Sequence, residues 1–277
     1  MEPVMIRLIA VDMDGTLLRS DKTLHPDTAG DIKKAVDAGI EVVYCSGRAV
    51  IEVKPYIKEL PFVRYGICCS GSVVYDFLKD RTIITREIKS EYAVIISDTA
   101  KKYDGMTHFL AVGSTACASQ VTHMDDYNMG VYQPLFLKVA KKVEDMSEEA
   151  AGLFSVPKVN IYFKTTEDRG RAFEELKNLP LCFATVGDTV LEMTAPGVSK
   201  AFGMNCLANR LGISMEETAG IGDSDNDREM LEAVAFPVAM GNAEEEILGI
   251  SKYVTDDNDH NGVGKAVNYI TSRAFPG

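Results

Sequence analysis

The chain has no apolar stretch long enough to span a membrane, and its N-terminus lacks the basic-then-apolar order of a secretion signal. Neither a membrane partner nor export is therefore expected. An excess of positive charge is also missing. The 277 residues carry a net charge of -12, which argues against a nucleic-acid partner. A phosphorylated small molecule stays compatible with that charge, because a metal ion and a few fixed cations reverse the local field. Six cysteines, at 45, 68, 69, 117, 182 and 206, include no CxxC pair. Cys68-Cys69 falls in an apolar run that reads as a strand, so buried free thiols and a reducing, cytoplasmic setting are expected. A vicinal-thiol metal or redox site is the alternative there. No internal repeat or low-complexity segment is visible, and nothing specifies an oligomeric state.

What is present is an ordinary globular composition, 46% hydrophobic and 25% charged, in a chain long enough for one or two domains with a substantial core. The stretch that organises it is Asp12-Met13-Asp14-Gly15-Thr16. It follows Ile6 to Val11, an apolar run too short for a helix and suited to a buried strand. Two carboxylates so close repel, and both stay ionised only beside a cation or hydrogen-bond donors. In an open parallel sheet, ligands bind at the carboxyl ends of the strands, where these acids fall. That points to a divalent metal, Mg²⁺ being the hard-oxygen cation suited to phosphate chemistry. The competing reading is a strand closed by an ordinary Asp-Gly turn.

Along the chain, strand and helix patterns alternate with short links. A helix over 27–38, a strand over 40–45, a helix from about 49 to 60 and a strand over 65–69 predict a doubly wound α/β sheet. After Tyr75 the texture changes. Strands at 81–85 and 107–112, a helix over 91–103, a half-buried alternating strand over 158–164, a helix over 166–178 and a hairpin around Gly187-Asp188 predict an α+β unit. Residues 120–150 read as helices and loops. The expected division is a Rossmann-like core of 1–80 and 195–277 with an inserted domain of 81–194. The core resumes with Ser199 as N-cap of a helix over 200–211, a strand over 217–221, and Gly222-Asp223-Ser224-Asp225-Asn226-Asp227.

Four loops after four predicted strands carry polar clusters of different kinds. Asp12 and Asp14 supply acids; Ser46-Gly47-Arg48 supplies a hydroxyl, backbone N–H groups at a helix start and a guanidinium. Lys200 supplies a cation, and Asp223 and Asp227 supply acids again. Together they make a clamp for a phosphoryl group. Each has a plainer reading: Ser46 as a cap, Arg48 and Lys200 as solvated cations, Asp223 to Asp227 as a cap with first-turn acids. Four such clusters in order favour the joint reading.

At this point the sequence resembles the haloacid dehalogenase superfamily of phosphohydrolases, and within it the Cof-like group with a large α/β cap. The motif DxDGT stands at Asp12 to Thr16, the second-motif serine is Ser46 with Gly47-Arg48, and the lysine of GVSK is Lys200. GDxxND spans Gly222 to Asp227, and M-G-N-A spans Met240 to Ala243. Ser70-Gly71 departs from the group's usual Asn-Gly. The resemblance implies that Asp12 is a nucleophile forming an aspartyl phosphate and that Asp14 is the general acid and base. It implies Mg²⁺ held by the Asp12 carboxylate, the Asp14 backbone carbonyl and Asp223, with Asp227 nearby. Lys200 and Ser46 would offset charge on the phosphoryl oxygens, and Arg48 and Asn226 would help hold the phosphate. Asp14 is missing or replaced in relatives that cleave other bonds, so its presence implies an oxygen leaving group. The expected activity is Mg²⁺-dependent hydrolysis of a phosphate monoester of a small metabolite, such as a sugar phosphate, a nucleotide or a phosphorylated cofactor. Phosphomutase action and non-catalytic sensing of a phosphorylated ligand are the alternatives. In the inserted domain, His108, His123 and Tyr127 are candidate substrate contacts, though each also reads as an ordinary core or surface residue. The acidic loop 256–260 reads as bordering the site or as a solvated turn.

Overall fold

The structure, a computed structural model, describes residues 5–274. The first five strands are β1 (Leu8–Val11), β2 (Glu41–Cys45), β3 (Tyr65–Cys68), β4 (Val73–Asp76) and β5 (Arg81–Thr85). Helices α1 (Thr28–Asp37) and α2 (Val50–Ile57) lie among them. Strands β6 (Ile88–Lys89), β7 (Met106–Leu110), β8 (Ser114–Cys117) and β9 (Lys141–Val143) follow, with α3 (Ser90–Lys102), α4 (Ala118–Val121) and α5 (Gln133–Val139) between them. Next come α6 (Met146–Gly152), β10 (Ser155–Val156), β11 (Lys158–Tyr162), α7 (Thr166–Leu176), β12 (Cys182–Val186) and β13 (Val190–Thr194). The chain closes through α8 (Lys200–Leu211), β14 (Thr218–Gly222), α9 (Arg228–Ala233), β15 (Phe236–Ala239), α10 (Glu245–Ile250), β16 (Tyr253–Val254) and α11 (Gly262–Ala274).

The residues divide into two compact units. Among the described residues, unit 1 holds 5–47, 56–84 and 199–274, and unit 2 holds 48–55 and 85–198. Unit 1 is built on a sheet of order β16-β15-β14-β1-β2-β3-β4-β5. Its six strands from β16 to β3 are parallel, and β4 runs antiparallel to β3. The doubly wound expectation therefore holds, with two strands added at one edge. The strand at 81–85, expected in the inserted domain, is the edge strand β5 of this first sheet. Its pattern shows only that it is extended; the partner comes from the tight turn that brings β4 back along β3.

Strand β1 lies at the centre because it can be buried on every side. Leu8, Ile9, Ala10 and Val11 are at most 1% exposed, and each of the larger three contributes about 1.5–3 kcal/mol by its burial. Connections leave β1 toward β2 on one side, and later chain returns as β14 on the other. The end of β1 is thus the topological switch point where such sheets bind ligands.

Unit 2 contains a six-stranded sheet of order β12-β13-β11-β7-β8-β9. One face packs Phe109, Val159, Ile161, Leu191 and Met193 into a core with Ile96, Ala100, Ala172 and Leu176 of the helices. The start of α2 joins this unit through the backbone, since Val50 and Ile51 donate N–H bonds to Ala111 and Val112. Strand β11 differs from the half-buried strand that its alternation predicts: all five residues are buried. Its polar face is neutralised internally. Lys158 Nζ lies 2.7 Å from Glu192, and Asn160 donates to the Tyr162 hydroxyl at 3.1 Å. His108, 1% exposed, lies 3.2 Å from Glu52 and 2.7 Å from the Ser114 hydroxyl, so it is a core histidine of unit 2. Burial alone would raise the Glu52 carboxyl, but His108, the Ser114 hydroxyl and the Ala49 N–H together outweigh it and hold the group below its ordinary value. His123 is exposed and bonded to its own loop, and Tyr127 is buried among the apolar residues that include Met124 and Phe136. No helix among the described residues is long and apolar enough to cross a membrane. Cys45, Cys68 and Cys69 are buried free thiols.

Candidate active site

Register decides which loops meet. Val11 of β1 pairs with Ile221 of β14 and with Tyr44 of β2, so the residues just beyond all three emerge together at one end of the sheet. Those residues are Asp12, the Gly222-Asp223 turn and Cys45-Ser46. The Asp12 N–H donates to Ile221 O at 3.0 Å, which carries the pairing one residue past the strand.

Lys200 is the hub of the cluster. Ser199 caps α8 by accepting from the Phe202 N–H, and this places Lys200 as the first helical residue. Its ammonium lies 2.6 Å from Asp12 Oδ1, 2.6 Å from Asp227 Oδ1 and 3.0 Å from Asn226 Oδ1. Lys200 is 2% exposed, Asp12 4% and Asp227 0%, so water contributes almost nothing to balancing these charges. Burial would drive the lysine's pKa down, but Asp12 and Asp227 outweigh it and raise it well above the ordinary value. It is a permanent cation.

Asp223 completes the acidic side. Carboxylate oxygens of Asp12, Asp223 and Asp227 lie within 4.8 Å of one another. Three acids face one lysine there, an excess of negative charge. Burial, reinforced by Asp227 and Asp223, raises the Asp12 carboxyl well above its ordinary value. Burial also pushes Asp223 up to about 6, with Asp227 adding to it and the Thr16 hydrogen bond opposing it. Hard carboxylate oxygens, a shortage of positive charge and limited water are what a small divalent cation relieves. The residues therefore fit such an ion.

The remaining predicted residues take distinct places. Asp227 Oδ2 accepts the N–H groups of Asp223 and Ser224 while Oδ1 binds Lys200, so both oxygens are committed to holding the loop and the lysine. The Asp14 carboxylate stands outside the three-acid cluster, 30% exposed and 3.0 Å from Lys22 Nζ. Ser46 is 2% exposed at the end of β2, beside β1. Gly47 closes the first segment of unit 1 and Arg48 opens unit 2, where its guanidinium lies 5.5 Å from the Tyr132 ring centre. The 256–260 loop borders the site strands' loops: Asn258 donates to Leu18 O, and Asp259 accepts from Ser20.

Three further participants have no role assigned to them by the sequence. Lys22 lies in what reads as a plain polar connection. Thr16 donates to Asp223 Oδ1 at 2.7 Å and so aims that acid. Asn242 donates to Gly15 O at 2.9 Å and links the fifth motif to the first. Gly15 itself is required twice over. Its φ is +84°, and a Cβ there would lie 2.4 Å from Asp223 Oδ2. The presence of Thr16 and Asn242 in recognisable motifs was the available signal; for Lys22 there was none.

The family model for haloacid dehalogenase-like hydrolases matches residues 9–267. The 5-amino-6-(5-phospho-D-ribitylamino)uracil phosphatase YcsE of Bacillus subtilis is 27% identical over 270 residues, covering 97% of this chain and 97% of its own. The pyridoxal phosphate phosphatase YbhA of Escherichia coli is 26% identical, covering 94% and 97%. A solved haloacid dehalogenase-like hydrolase from B. subtilis superposes with a TM-score of 0.84 at 25% identity, over 95% of this chain and 99% of that one. The match runs through both units and through every loop that carries the acids and the lysine, and the chain belongs to the haloacid dehalogenase-like hydrolases, in their Cof-like group of phosphatases.

Proposed function

We propose that the protein hydrolyses phosphate monoesters of small metabolites in a Mg²⁺-dependent reaction through an aspartyl phosphate on Asp12. The observation that carries this reading is the buried Asp12–Lys200–Asp227 bridge beside Asp223 at the end of the central strand. The Lys200 ammonium orients the Asp12 carboxyl for attack and opposes the rise that burial and Asp227 impose on it.

In this reading Asp12 forms a bond to phosphorus as the ester P–O bond breaks, and Asp14 gives its proton to the leaving oxygen. Asp14 then takes a proton from water as that water attacks phosphorus and the bond to Asp12 breaks. The partial exposure of Asp14 leaves it free to exchange protons with solvent between the two halves. Lys200 keeps positive charge against the phosphoryl oxygens throughout, and Ser46 adds hydrogen bonding. Mg²⁺, when held by Asp12, Asp223 and the Asp14 carbonyl, supplies further charge compensation. Asp227 acts by fixing Lys200 and the Asp223 turn, and Asn226 by holding Lys200 from its other side. We further read unit 2 as the cap that selects the ester. The compounds that two relatives are named for, 5-amino-6-(5-phospho-D-ribitylamino)uracil and pyridoxal phosphate, support a small phosphorylated metabolite as the substrate.

Phosphate release from a panel of sugar, polyol, nucleotide and cofactor phosphates tests the reading. Removal of Mg²⁺ by chelation is expected to lower the rate by about 100-fold or more, the scale of losing a principal charge stabiliser. Release that is indifferent to Mg²⁺, or phosphate that moves within the molecule instead of being freed, overturns it.

The acidic cluster also predicts a pH-dependent response of the metal-free protein. Asp12 and Asp223 are raised in the folded state, so their contribution to stability is complete below the unfolded value near 3.8. For Asp223 it is lost as pH rises through about 6. Mg²⁺ competes with those protons. It is expected to raise the melting temperature by several degrees at pH 7.5 and by much less at pH 5. Calorimetry at the two pH values decides, and an equal shift at both contradicts the assigned cluster.

A further inference from the structure

The turn after β3 is built from three consecutive residues in the left-handed region: Cys69 at φ +52°, Ser70 at +54° and Gly71 at +98°. Two of them are not glycine, and such residues cost energy in this conformation unless the surroundings impose it. Here the turn is pressed on both sides. On one side the Ser70 N–H donates to Ser46 O at 3.1 Å, while the Ser46 N–H donates to Ile67 O at 2.8 Å. Backbone bonds thus tie the loop that carries Ser46 to this turn and to the end of β3. On the other side Gly71 lies directly against the first turn of α8. A Cβ on Gly71 would stand 1.9 Å from Ser199 O and 3.2 Å from Lys200 N. The helix answers with a glycine of its own: a Cβ on Gly203 would stand 3.0 Å from Gly71 Cα and 3.2 Å from Gly71 O.

We infer that the Cys69–Gly71 turn is a positioning device for Lys200, and that Gly71 and Gly203 are the residues through which it acts. Where Gly71 faces Ser199 and Lys200, main chain meets main chain; a side chain, Ile67, stands close only on the Gly203 side. The place where the helix begins is therefore fixed by the turn, and Lys200 is the first residue of that helix. Its ammonium reaches Asp12 and Asp227 at 2.6 Å each, a fit that a small translation of the helix start destroys. Because the same turn bonds to Ser46, it also sets the serine loop and the lysine in a common frame.

Gly71→Ala tests this. The new methyl must gain more than 1 Å of separation from Ser199 O, at a residue whose φ also disfavours alanine. A displacement of about 1 Å in a catalytic group costs on the order of 100-fold in rate. The expected result is kcat lowered about 100-fold with KM changed less than about fivefold. Gly203→Ala, whose closest clash is with the flexible Ile67 side chain at 2.5 Å, is expected to give a smaller loss in the same direction and carries the test if Gly71→Ala does not fold. Ser70→Gly relieves the left-handed strain and keeps the backbone bond to Ser46, and it is expected to lower kcat far less than Gly71→Ala does.

The kinetic arm rests on the phosphatase reading, so a second arm avoids it. Lys200 acylation by acetic anhydride is followed by mass spectrometry, with the exposed Lys33 as internal reference. A buried, doubly paired ammonium reacts slowly, and Lys200 in Gly71→Ala and Gly203→Ala is expected to react several-fold faster than in the parent or in Ser70→Gly. Wild-type protein without Mg²⁺-dependent phosphate release defeats the phosphatase reading, and the labelling still judges the positioning role. Folded Gly71→Ala or Gly203→Ala protein with unchanged Lys200 labelling, or with kcat falling only in step with the folded fraction, overturns the inference.

Discussion

Asp12→Asn is expected to abolish phosphate release, lowering the rate by at least about 10⁴-fold, the scale on which enzymes lose activity when the attacking group is removed. An amide has nearly the size and shape of the carboxylate but does not form the aspartyl phosphate. The loss should therefore not be a loss of fold. Burial and the neighbouring acids Asp227 and Asp223 oppose the ionised form of Asp12, so a neutral residue there relieves repulsion. Lys200 keeps Asp227 as its partner at 2.6 Å. In metal-free buffer at pH 7.5 the variant is expected to melt at or above the wild-type temperature, and the stabilisation by Mg²⁺ should shrink. Single-turnover phosphate release at high enzyme concentration, beside calorimetry with and without Mg²⁺, measures both. A folded variant with a near-wild-type rate eliminates Asp12 as nucleophile.

Lys200→Ala produces the opposite pairing of effects, with stability as well as rate at stake. Removing the ammonium leaves Asp12 and Asp227, each under 5% exposed, facing one another without a counter-charge. Breaking a buried ion pair from one side typically costs about 3–5 kcal/mol. The sign with pH is fixed by the same acids. Without the lysine the Asp12 carboxyl rises further, so the deficit is greatest where the acids must be ionised and shrinks as pH falls and they take up protons. Denaturant unfolding is expected to show a larger loss at pH 8 than at pH 5, with part of it restored by Mg²⁺. The rate should fall by about 10²–10³-fold through loss of charge stabilisation. Equal stability of variant and parent at pH 8 contradicts the assigned bridge. Arginine is not expected to substitute, since a planar fork does not fit where a compact ammonium bonds three groups.

Much of the site is local in the chain, and that is why it was legible. Three of the four functional loops directly follow a short strand, Lys200 follows its cap Ser199, and the chemistry sits in one to six consecutive residues: Asp12 to Thr16, Ser46 to Arg48, Lys200, Gly222 to Asp227. An apolar run followed by a glycine, a cap or an acid is visible without knowing any long-range contact. The motif resemblance then supplied roles that residue types alone leave open.

What escaped the sequence reading is long-range. Strand β5 reads correctly as a strand, but its membership of the first sheet depends on pairing that its own pattern does not encode. Strand β11 reads as half exposed because Lys158 and Asn160 alternate with apolar residues. Both are buried because Glu192, on the neighbouring strand, offsets one and bonds the other. His108 and Glu52 are 56 positions apart and meet at 3.2 Å in the interior of unit 2. Asp14 finds Lys22, and Asp227 turns both oxygens to Lys200 and the backbone.

The sequence alone determined the strand-and-loop alphabet of this protein and the chemical inventory at each strand end, because those depend on local patterning and on residue type. Only the tertiary structure decided which of those groups share charge. The register of β1 against β2 and β14 sets Asp12 beside Asp223, and the left-handed turn at Cys69–Gly71 seats the helix that carries Lys200. Electrostatic interaction depends on distance and burial, and packing fixes both by bringing together residues such as Asp12 and Asp227, 215 positions apart in the chain.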